Sequence, residues 1–236
     1  DYPPLTPDDT FQLGTELMDD EKNRRMIQEQ GHTDFSSNLP GVGRVRVNIY
    51  LQRGSYAIAI RIIPMRIPDI EELGLPAAAR DLLFKGSGLI LVTGPTGSGK
   101  STTLAAMINL LNQTVGGNII TLEDPIEYLH RHGTCIINQR EVGTDCPDFA
   151  QGLRAALRQD PDIILVGEMR DLETIATAMT AAETGHLVMA TLHASTAIQT
   201  VERIIDVFPP HQQSQIRVQL ANTILGIFSQ QLVPKI

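Results

Sequence analysis

The sequence predicts an α/β protein in which a mainly parallel sheet is covered by helices, preceded by a small α+β domain. From about residue 82 onward, short aliphatic runs alternate with helical patterns, a rhythm typical of parallel sheets covered on both faces. Before this region, alternating apolar and polar residues predict a β-hairpin. Between the two, IPMRIPDIEELGLP has the prolines and glycine of a connection. We therefore expect a first domain over residues 1–66, a linker over 67–80 and a second domain over 81–236.

Net charge, hydropathy and cysteine content limit the classes of function that this protein can have. The net charge of -8 argues against direct nucleic-acid binding, because a phosphate-binding face must be strongly basic. No run approaches the roughly 18 apolar residues of a membrane span, and the acidic start DYPPLTPDD is unlike a signal peptide. Cys135 and Cys146 form no CxxC pair, so we expect neither a zinc ribbon nor a disulfide framework. These observations favour a cytoplasmic protein.

The first domain begins with helices and continues with the hairpin. Thr6 as cap, Pro7 at the first position and Asp9 in the first turn predict a helix start, and one or two amphipathic helices should reach about Gln30. The stretch 44–63, RVRVNIYLQRGSYAIAIRII, then alternates on either side of an Arg-Gly pair.

The turn fixes which hairpin residues face each other. With Arg53-Gly54 as a two-residue loop, Gln52 faces Ser55 and Arg46 lies directly opposite Arg61. The other face is then entirely apolar; it comprises Val45, Val47, Ile49, Leu51, Tyr56, Ile58, Ile60 and Ile62. Opposed like charges are destabilising, so either an anion lies between the two arginines or they splay apart in solvent.

The second domain is predicted as alternating strands and helices. The strands are GLILVTG, NIITLED, DIILVGE and HLVMATLH, and the helices between them include TLAAMINLLNQ, FAQGLRAALRQ and LETIATAMTAAE. Thr196 to Asp206 and His211 to Gln231 are predicted as further helices.

A glycine-rich loop follows the first of these strands. GPTGSGKS, residues 94–101, fits the pattern GxxxxGK[ST] between a predicted strand and a predicted helix. Main-chain N–H groups and the helix N-terminus can hold phosphates there, with Lys100 on the β- and γ-phosphates of ATP and the Ser101 hydroxyl on Mg²⁺. The predicted nucleotide-binding residues are Gly94, Pro95, Thr96, Gly97, Ser98, Gly99, Lys100, Ser101 and Thr102.

Acidic residues follow two other strands at what should be the same edge of the sheet. In open α/β sheets ligands bind beyond the carboxyl ends of the strands. Glu123 and Glu127 come after NIITL, and Glu168 comes after DIILVG. Glu127 and Glu168 are candidates for orienting the attacking water and for holding Mg²⁺ through water, with Glu123 as a further metal candidate. Each acid has a plainer alternative as a partner of a helix N-terminus.

Two histidines flank the strand HLVMATLH. His186 and His193 are seven positions apart, roughly 23 Å along an extended strand, so they cannot share one role. His193 should lie at the phosphate edge, where it can stabilise or sense the γ-phosphate. His186 should belong to a subunit contact or to the core.

The motifs GPTGSGKSTT, TLEDPIEY, ILVGEMRD and TGHLVMATLHA together resemble the Walker A, Asp box, Walker B and His box of the type IV pilus and type II/IV secretion ATPases. Within this superfamily the sequence most resembles the pilus-retraction (twitching-motility) branch, and the residues that carry this resemblance are 34–64 and Pro234-Lys235. The resemblance implies a PAS-like first domain and a RecA-like second domain that hydrolyses ATP with Mg²⁺. Glu127, Glu168, His186 and His193 match the boxes' functional positions.

The resemblance also implies an assembly. It predicts a homohexameric ring in which arginines of one subunit help bind the nucleotide of the next, which makes Arg46 and Arg61 candidates for acting in trans. It further implies a protein peripheral to the membrane, at the cytoplasmic face of the inner membrane, with an inner-membrane platform protein of a type IV pilus machine as partner. Both ends of the family's usual sequence are absent here, so we expect this chain to bind ATP without completing the work cycle.

Two alternatives to a retraction motor stay open. One is a motor for pilus extension or type II/IV secretion; the four-cysteine zinc site that distinguishes extension ATPases would follow SQQLV, where this sequence ends. The other is a nucleotide-gated interaction protein with little hydrolysis. The pair Glu127 and Glu168 argues against it, because binding alone needs only the glycine loop and a metal ligand.

Overall fold

The computed structural model describes residues 3–64 and 66–234. It divides into two compact units, one up to residue 65 and one from residue 66 onward. Lys235, which contributed to the predicted resemblance, lies outside the described residues. No helix in the described ranges is long and apolar enough to cross a membrane.

The first unit begins with the predicted helices, α1 (Pro7–Leu17) and α2 (Glu21–Gln30). The helix start at Thr6 is confirmed, because its side chain accepts from the Asp9 N–H at 3.2 Å and the Asp9 carboxylate accepts from the Thr6 N–H at 2.8 Å. Gly31 ends α2 in the left-handed conformation.

An antiparallel sheet completes the first unit, with β1 (His32–Leu39), β2 (Gly43–Gln52) and β3 (Ser55–Ile62) in the order β1-β2-β3. The predicted hairpin register is confirmed, since Gln52 pairs with Ser55 and Arg46 with Arg61. Both turn residues, Arg53 and Gly54, have positive φ, as a tight hairpin turn requires. Strand β1 was not predicted, because HTDFSSNL is mostly polar and only its Thr33 is buried.

The second unit is built on a six-stranded, fully parallel sheet in the order β6-β5-β7-β8-β4-β9. The predicted fold class is therefore confirmed. The strands are β4 (Gly88–Thr93), β5 (Gly117–Glu123), β6 (Cys135–Glu141), β7 (Ile163–Val166), β8 (Leu187–Leu192) and β9 (Ile224–Ser229).

Helices cover both faces of this sheet, and they are α3 (Ala77–Leu83), α4 (Lys100–Thr114), α5 (Phe149–Ala156), α6 (Leu172–Glu183), α7 (Ala197–Asp206) and α8 (Pro210–Thr223). Successive residues of a strand point to opposite faces. In β4, Leu89 and Leu91 accordingly belong to the core under α6, whereas Ile90 and Val92 belong to the core under α4. Burial on both faces explains why these strands read as continuous aliphatic runs.

The predicted helix from His211 to Gln231 is wrong in its second half. Helix α8 ends at Thr223, and Ile224–Ser229 forms β9, which pairs in parallel with β4. Gly226 weakens a helix at this point, and the run ILGIF pairs along the edge of β4, with one shift of register between Leu89 and Ile90.

The predicted linker 67–80 contributes to the second unit. Ile70 and Ala79 are 5% and 0% exposed in the core that also contains residues of β4 and α4. Ala79 lies in α3, a seven-residue helix that was not predicted.

Candidate functional site

The glycine loop lies between β4 and α4, at the carboxyl edge of the sheet. Gly97 and Gly99 have φ values of 78° and 88°, which side chains other than glycine rarely adopt. Gly94 is confined sterically, because a Cβ there would lie 2.3 Å from the main-chain oxygen of Gln230. The loop thus leads directly into the N-terminus of the 15-residue α4, where main-chain N–H groups and the helix dipole favour a bound anion.

Lys100 folds back over this loop. Its ammonium group donates to the main-chain oxygens of Gly94 and Pro95, each at 3.0 Å. Burial lowers the pKa of Lys100, while the negative charges of Glu168 and Glu127 oppose that shift. The structure therefore brings both predicted glutamates within electrostatic reach of the loop lysine.

A hydroxyl pair ties the segment around Glu127 to α4. The hydroxyls of Thr102 and Tyr128 are hydrogen-bonded at 3.0 Å. Glu127 itself is exposed, next to this anchor, and Ser101 lies in the first turn of α4. The loop, its helix and the Glu127 segment consequently border one site.

Glu168 and His193, which follow neighbouring strands, are in direct contact. The Nε2 atom of His193 lies 3.2 Å from Oε1 of Glu168, and Nη2 of Arg170 lies 2.6 Å from its Oε2. The Glu168 side chain is only 16% exposed, so these two partners compensate a carboxylate that is largely withdrawn from water.

The main chain around Glu168 is held against β8. The N–H of Met169 donates to the Thr191 oxygen at 3.0 Å, and the Thr191 hydroxyl donates to the Gly167 oxygen. Gly167 also packs against β5, where an added Cβ would lie 3.0 Å from the Leu122 oxygen. This close packing explains why a glycine precedes the glutamate in ILVGE. The same contacts hold the main chain from which the Glu168 side chain extends.

Glu123 is engaged within the sheet. Its Oε1 accepts from the Thr121 hydroxyl at 2.6 Å and from the Gln139 amide at 3.1 Å. Burial raises the pKa of the Glu123 carboxyl, and the two hydrogen bonds oppose this shift. These contacts indicate a structural task at the β5–β6 edge, and its role as a metal ligand stays a prediction.

His186 lies at the opposite end of β8 from His193. Its Nδ1 is 2.9 Å from the main-chain oxygen of Ala181, in the last turn of α6, so the ring satisfies a carbonyl at that helix end. The structure thus separates the two histidines, as their spacing predicts.

The two hairpin arginines belong to the first unit. Arg46 lies 3.8 Å from the carboxylate of Asp34 on β1, and Asp34 also accepts from Asn48 at 2.8 Å. Asp34 therefore supplies part of the negative charge that the opposed arginines require. Arg61, on the outer strand, is exposed.

Several residues of the site were missed from the sequence. Arg170 pairs with Glu168, and Arg203 donates to the His193 main-chain oxygen. Tyr128 and Gln230 contact α4 from elsewhere in the chain. Arg170 carried a signal as a cation two positions after the acid in GEMRD, and Tyr128 is the last residue of the motif TLEDPIEY. The contacts themselves arise from pairing across the fold.

Comparisons with known proteins fit this geometry. The family model described as type II/IV secretion system protein matches residues 36–236. The chain belongs to this family. It is 49% identical over 234 residues to the type IV pilus retraction ATPase PilT of Pseudomonas aeruginosa, covering 99% of this chain and 68% of that protein. It is 50% identical over 229 residues to the uncharacterised protein YggR of Escherichia coli K12, covering 97% of this chain and 70% of that protein.

A solved structure is also similar. The crystal structure of the pilus retraction motor PilT with bound ADP matches with a TM-score of 0.97 and 56% sequence identity, covering 100% of this chain and 68% of that one. The predicted resemblance to the secretion and pilus ATPases is thereby confirmed, and the chain is an ATPase of this family.

The position of Lys100 generates a binding prediction. Lys100→Ala removes a partly buried cation aimed at the loop, and charge-assisted hydrogen bonds of this kind contribute about 1.5–3 kcal/mol each. Titration calorimetry with ADP should show binding weakened by roughly 10- to 100-fold. Lys85→Ala, at an exposed lysine of the same unit, should bind ADP like the unchanged protein. Equal ADP affinities of the two variants would show that Lys100 does not contribute to nucleotide binding.

Proposed function

We propose that this protein is the ATP-hydrolysing motor of type IV pilus retraction. The observation that carries the proposal is the contact of Glu168 with His193, with the Glu168 charge within electrostatic reach of the loop lysine. It occurs in a chain about half identical to a pilus retraction ATPase over nearly its whole length. The Glu168 carboxylate is only 16% exposed. A carboxylate of this kind beside a phosphate loop favours ATP hydrolysis over ATP binding alone, because it can orient the attacking water or support the metal.

Each site residue has a task in this proposal. The loop N–H groups and Lys100 bind and orient the ATP phosphates. One of Glu127 and Glu168 orients the attacking water, and the other supports the metal through water. His193 and Arg170 contact the Glu168 carboxylate, and His193 also responds to the γ-phosphate. Catalysis then rests on positioning and electrostatics.

The residues present fit Mg²⁺ as cofactor. Ser101 offers a hydroxyl at the start of α4 and Glu168 a carboxylate, both hard oxygen donors. No cluster of three or more His, Cys, Asp or Glu side chains suited to a metal occurs in the described ranges. Magnesium in nucleotide sites is commonly bound by one or two protein oxygens together with substrate phosphates and water, and Ser101 and Glu168 match that requirement. When bound, Mg²⁺ neutralises charge on the β- and γ-phosphates.

The motor acts as a homohexamer in which Arg46 and Arg61 reach the nucleotide of the neighbouring subunit. Support comes from the hairpin register, which places two arginines side by side, and from the exposure of Arg61. Asp34 balances only part of their charge, so the pair retains attraction for an added anion. The ring works at the cytoplasmic face of the inner membrane, against a platform protein of the pilus machine.

A cellular experiment tests the retraction task. Expression of the protein in bacteria that assemble pili but lack their own retraction ATPase should restore twitching motility. The Lys100→Ala variant, expressed equally, should not restore it, because the loop binds ATP more weakly and lacks the cation that orients the phosphates. Rescue of pilus assembly in a strain without its extension ATPase, with no rescue of twitching, would instead assign the motor to extension.

A nucleotide site completed by arginines of the neighbouring subunit can be tested by enzyme kinetics. ATPase activity per subunit should rise with protein concentration as the ring assembles, and Arg61→Ala should lower kcat by at least about tenfold, since a trans arginine stabilises charge in the transition state. Arg25→Ala, at an exposed arginine on α2, serves as the matched control and should retain activity. Activity that is independent of concentration and insensitive to Arg61→Ala would contradict the trans role.

A further inference from the structure

Gln230, immediately after β9, contacts both ends of the glycine loop. Its main-chain N–H donates to the oxygen of Thr93, the last residue of β4, at 2.8 Å. Its side-chain Nε2 donates to the hydroxyl of Thr103, in the first turn of α4, at 2.8 Å. Thr103 is itself bonded to the loop, since its N–H donates to the Gly99 oxygen at 2.9 Å. One residue therefore joins the entry and the exit of the phosphate loop.

The loop and Gln230 are also in close steric contact. The main-chain oxygen of Gln230 occupies the space that a Gly94 side chain would need, with only 2.3 Å to the ideal Cβ position. Next to it, the hydroxyls of Ser229 and Thr93 are hydrogen-bonded at 3.0 Å, and Thr93 is fully buried. The loop cannot shift at Gly94 without a matching movement at the end of β9.

Two buried polar side-chain atoms, one in the loop and one in Gln230, are unpaired within the described part of the chain. They are the side-chain oxygen of Gln230, an acceptor, and the Ser98 hydroxyl, which can donate. The Ser98 hydroxyl lies 2.5 Å from the ideal Cβ position of Gly94, so both residues border the same glycine. Unpaired buried polar groups are costly, so any contact that satisfies either atom would be favoured.

We propose that Gln230 is a positioning residue of the phosphate loop: through Thr103 it holds the loop in the form that binds nucleotide phosphates. This inference rests on the proposed ATP-binding function. Because coupling between sites is reciprocal, phosphate binding in turn stabilises the end of β9. Nucleotide occupancy is thereby communicated to the chain that follows Gln230.

ADP affinity in single and double variants tests the contact. Gln230→Ala keeps the main-chain bond to Thr93 and removes only the side-chain bond, and Thr103→Val removes the same bond from the other side. Each should weaken ADP binding about three- to tenfold, the effect of one neutral hydrogen bond. The double variant should be no weaker than the single ones, since both remove one interaction.

Two further variants separate positioning from mere stability. Thr103→Ser retains the hydroxyl acceptor and should restore ADP affinity to within about twofold of the unchanged protein. Gln231→Ala, at an exposed glutamine one position further along the chain, is the matched control. Its ADP affinity should also lie within about twofold of the unchanged protein. Unchanged affinity in Gln230→Ala, or effects of Gln230→Ala and Thr103→Val that add, would overturn the inference while leaving ATP binding intact. Failure of the unchanged protein to bind ADP would overturn the proposed function as well.

Hydrogen exchange tests the communication directly. Addition of saturating ADP should slow exchange of the residue-230 main-chain amide by at least about tenfold in the unchanged protein, because the bond to Thr93 opens less often. In Gln230→Ala the same addition should slow this amide clearly less. Identical slowing in both proteins, or none in either, would contradict coupling through the Gln230 side chain.

Discussion

The site depends on the register of three neighbouring parallel strands. Val166 of β7 pairs with Ala190 of β8, and Thr93 of β4 pairs with Leu192 of β8. Because the carboxyl ends of parallel strands share one edge, the residues just beyond these pairs meet there. Slippage by one residue would turn the side chains to the other face and separate Glu168 from His193. Core packing on both faces therefore maintains the relative positions of Glu168 and His193.

Charge at this edge is balanced at close range. The Glu168 carboxylate is largely buried and has His193 on one oxygen and Arg170 on the other. Lys100, whose pKa is lowered by burial, lies within reach of the same negative charge. A largely buried ion without partners would be strongly unfavourable, so these groups stabilise one another and are fixed before substrate arrives. Such preorganisation is what phosphoryl transfer requires of a protein.

Much of this arrangement could be predicted from the sequence, because the decisive signals are local. The glycine loop follows from spacing within eight residues, and the hairpin register follows from a two-residue turn. The strand-end rule then placed Glu168 and His193 at one edge. What was missed depends on distant pairing: β9 was assigned to a helix because only the edge of β4 gives its backbone a partner. Gln230 was missed for the same reason, and the contact of Tyr128 with Thr102 was missed because the motif TLEDPIEY does not show which side chain its tyrosine meets.

We propose Glu168 as part of the hydrolytic centre, and the turnover of Glu168→Gln is the first measurement of that role. Glutamine keeps the size of the side chain and removes its charge. With ATP binding measured in parallel, kcat should be lower by about 100-fold or more and ATP affinity should stay within a few fold of the unchanged protein. Glu29→Gln, at an exposed glutamate of α2, should leave both unchanged. Normal turnover in Glu168→Gln would exclude Glu168 from the hydrolytic centre.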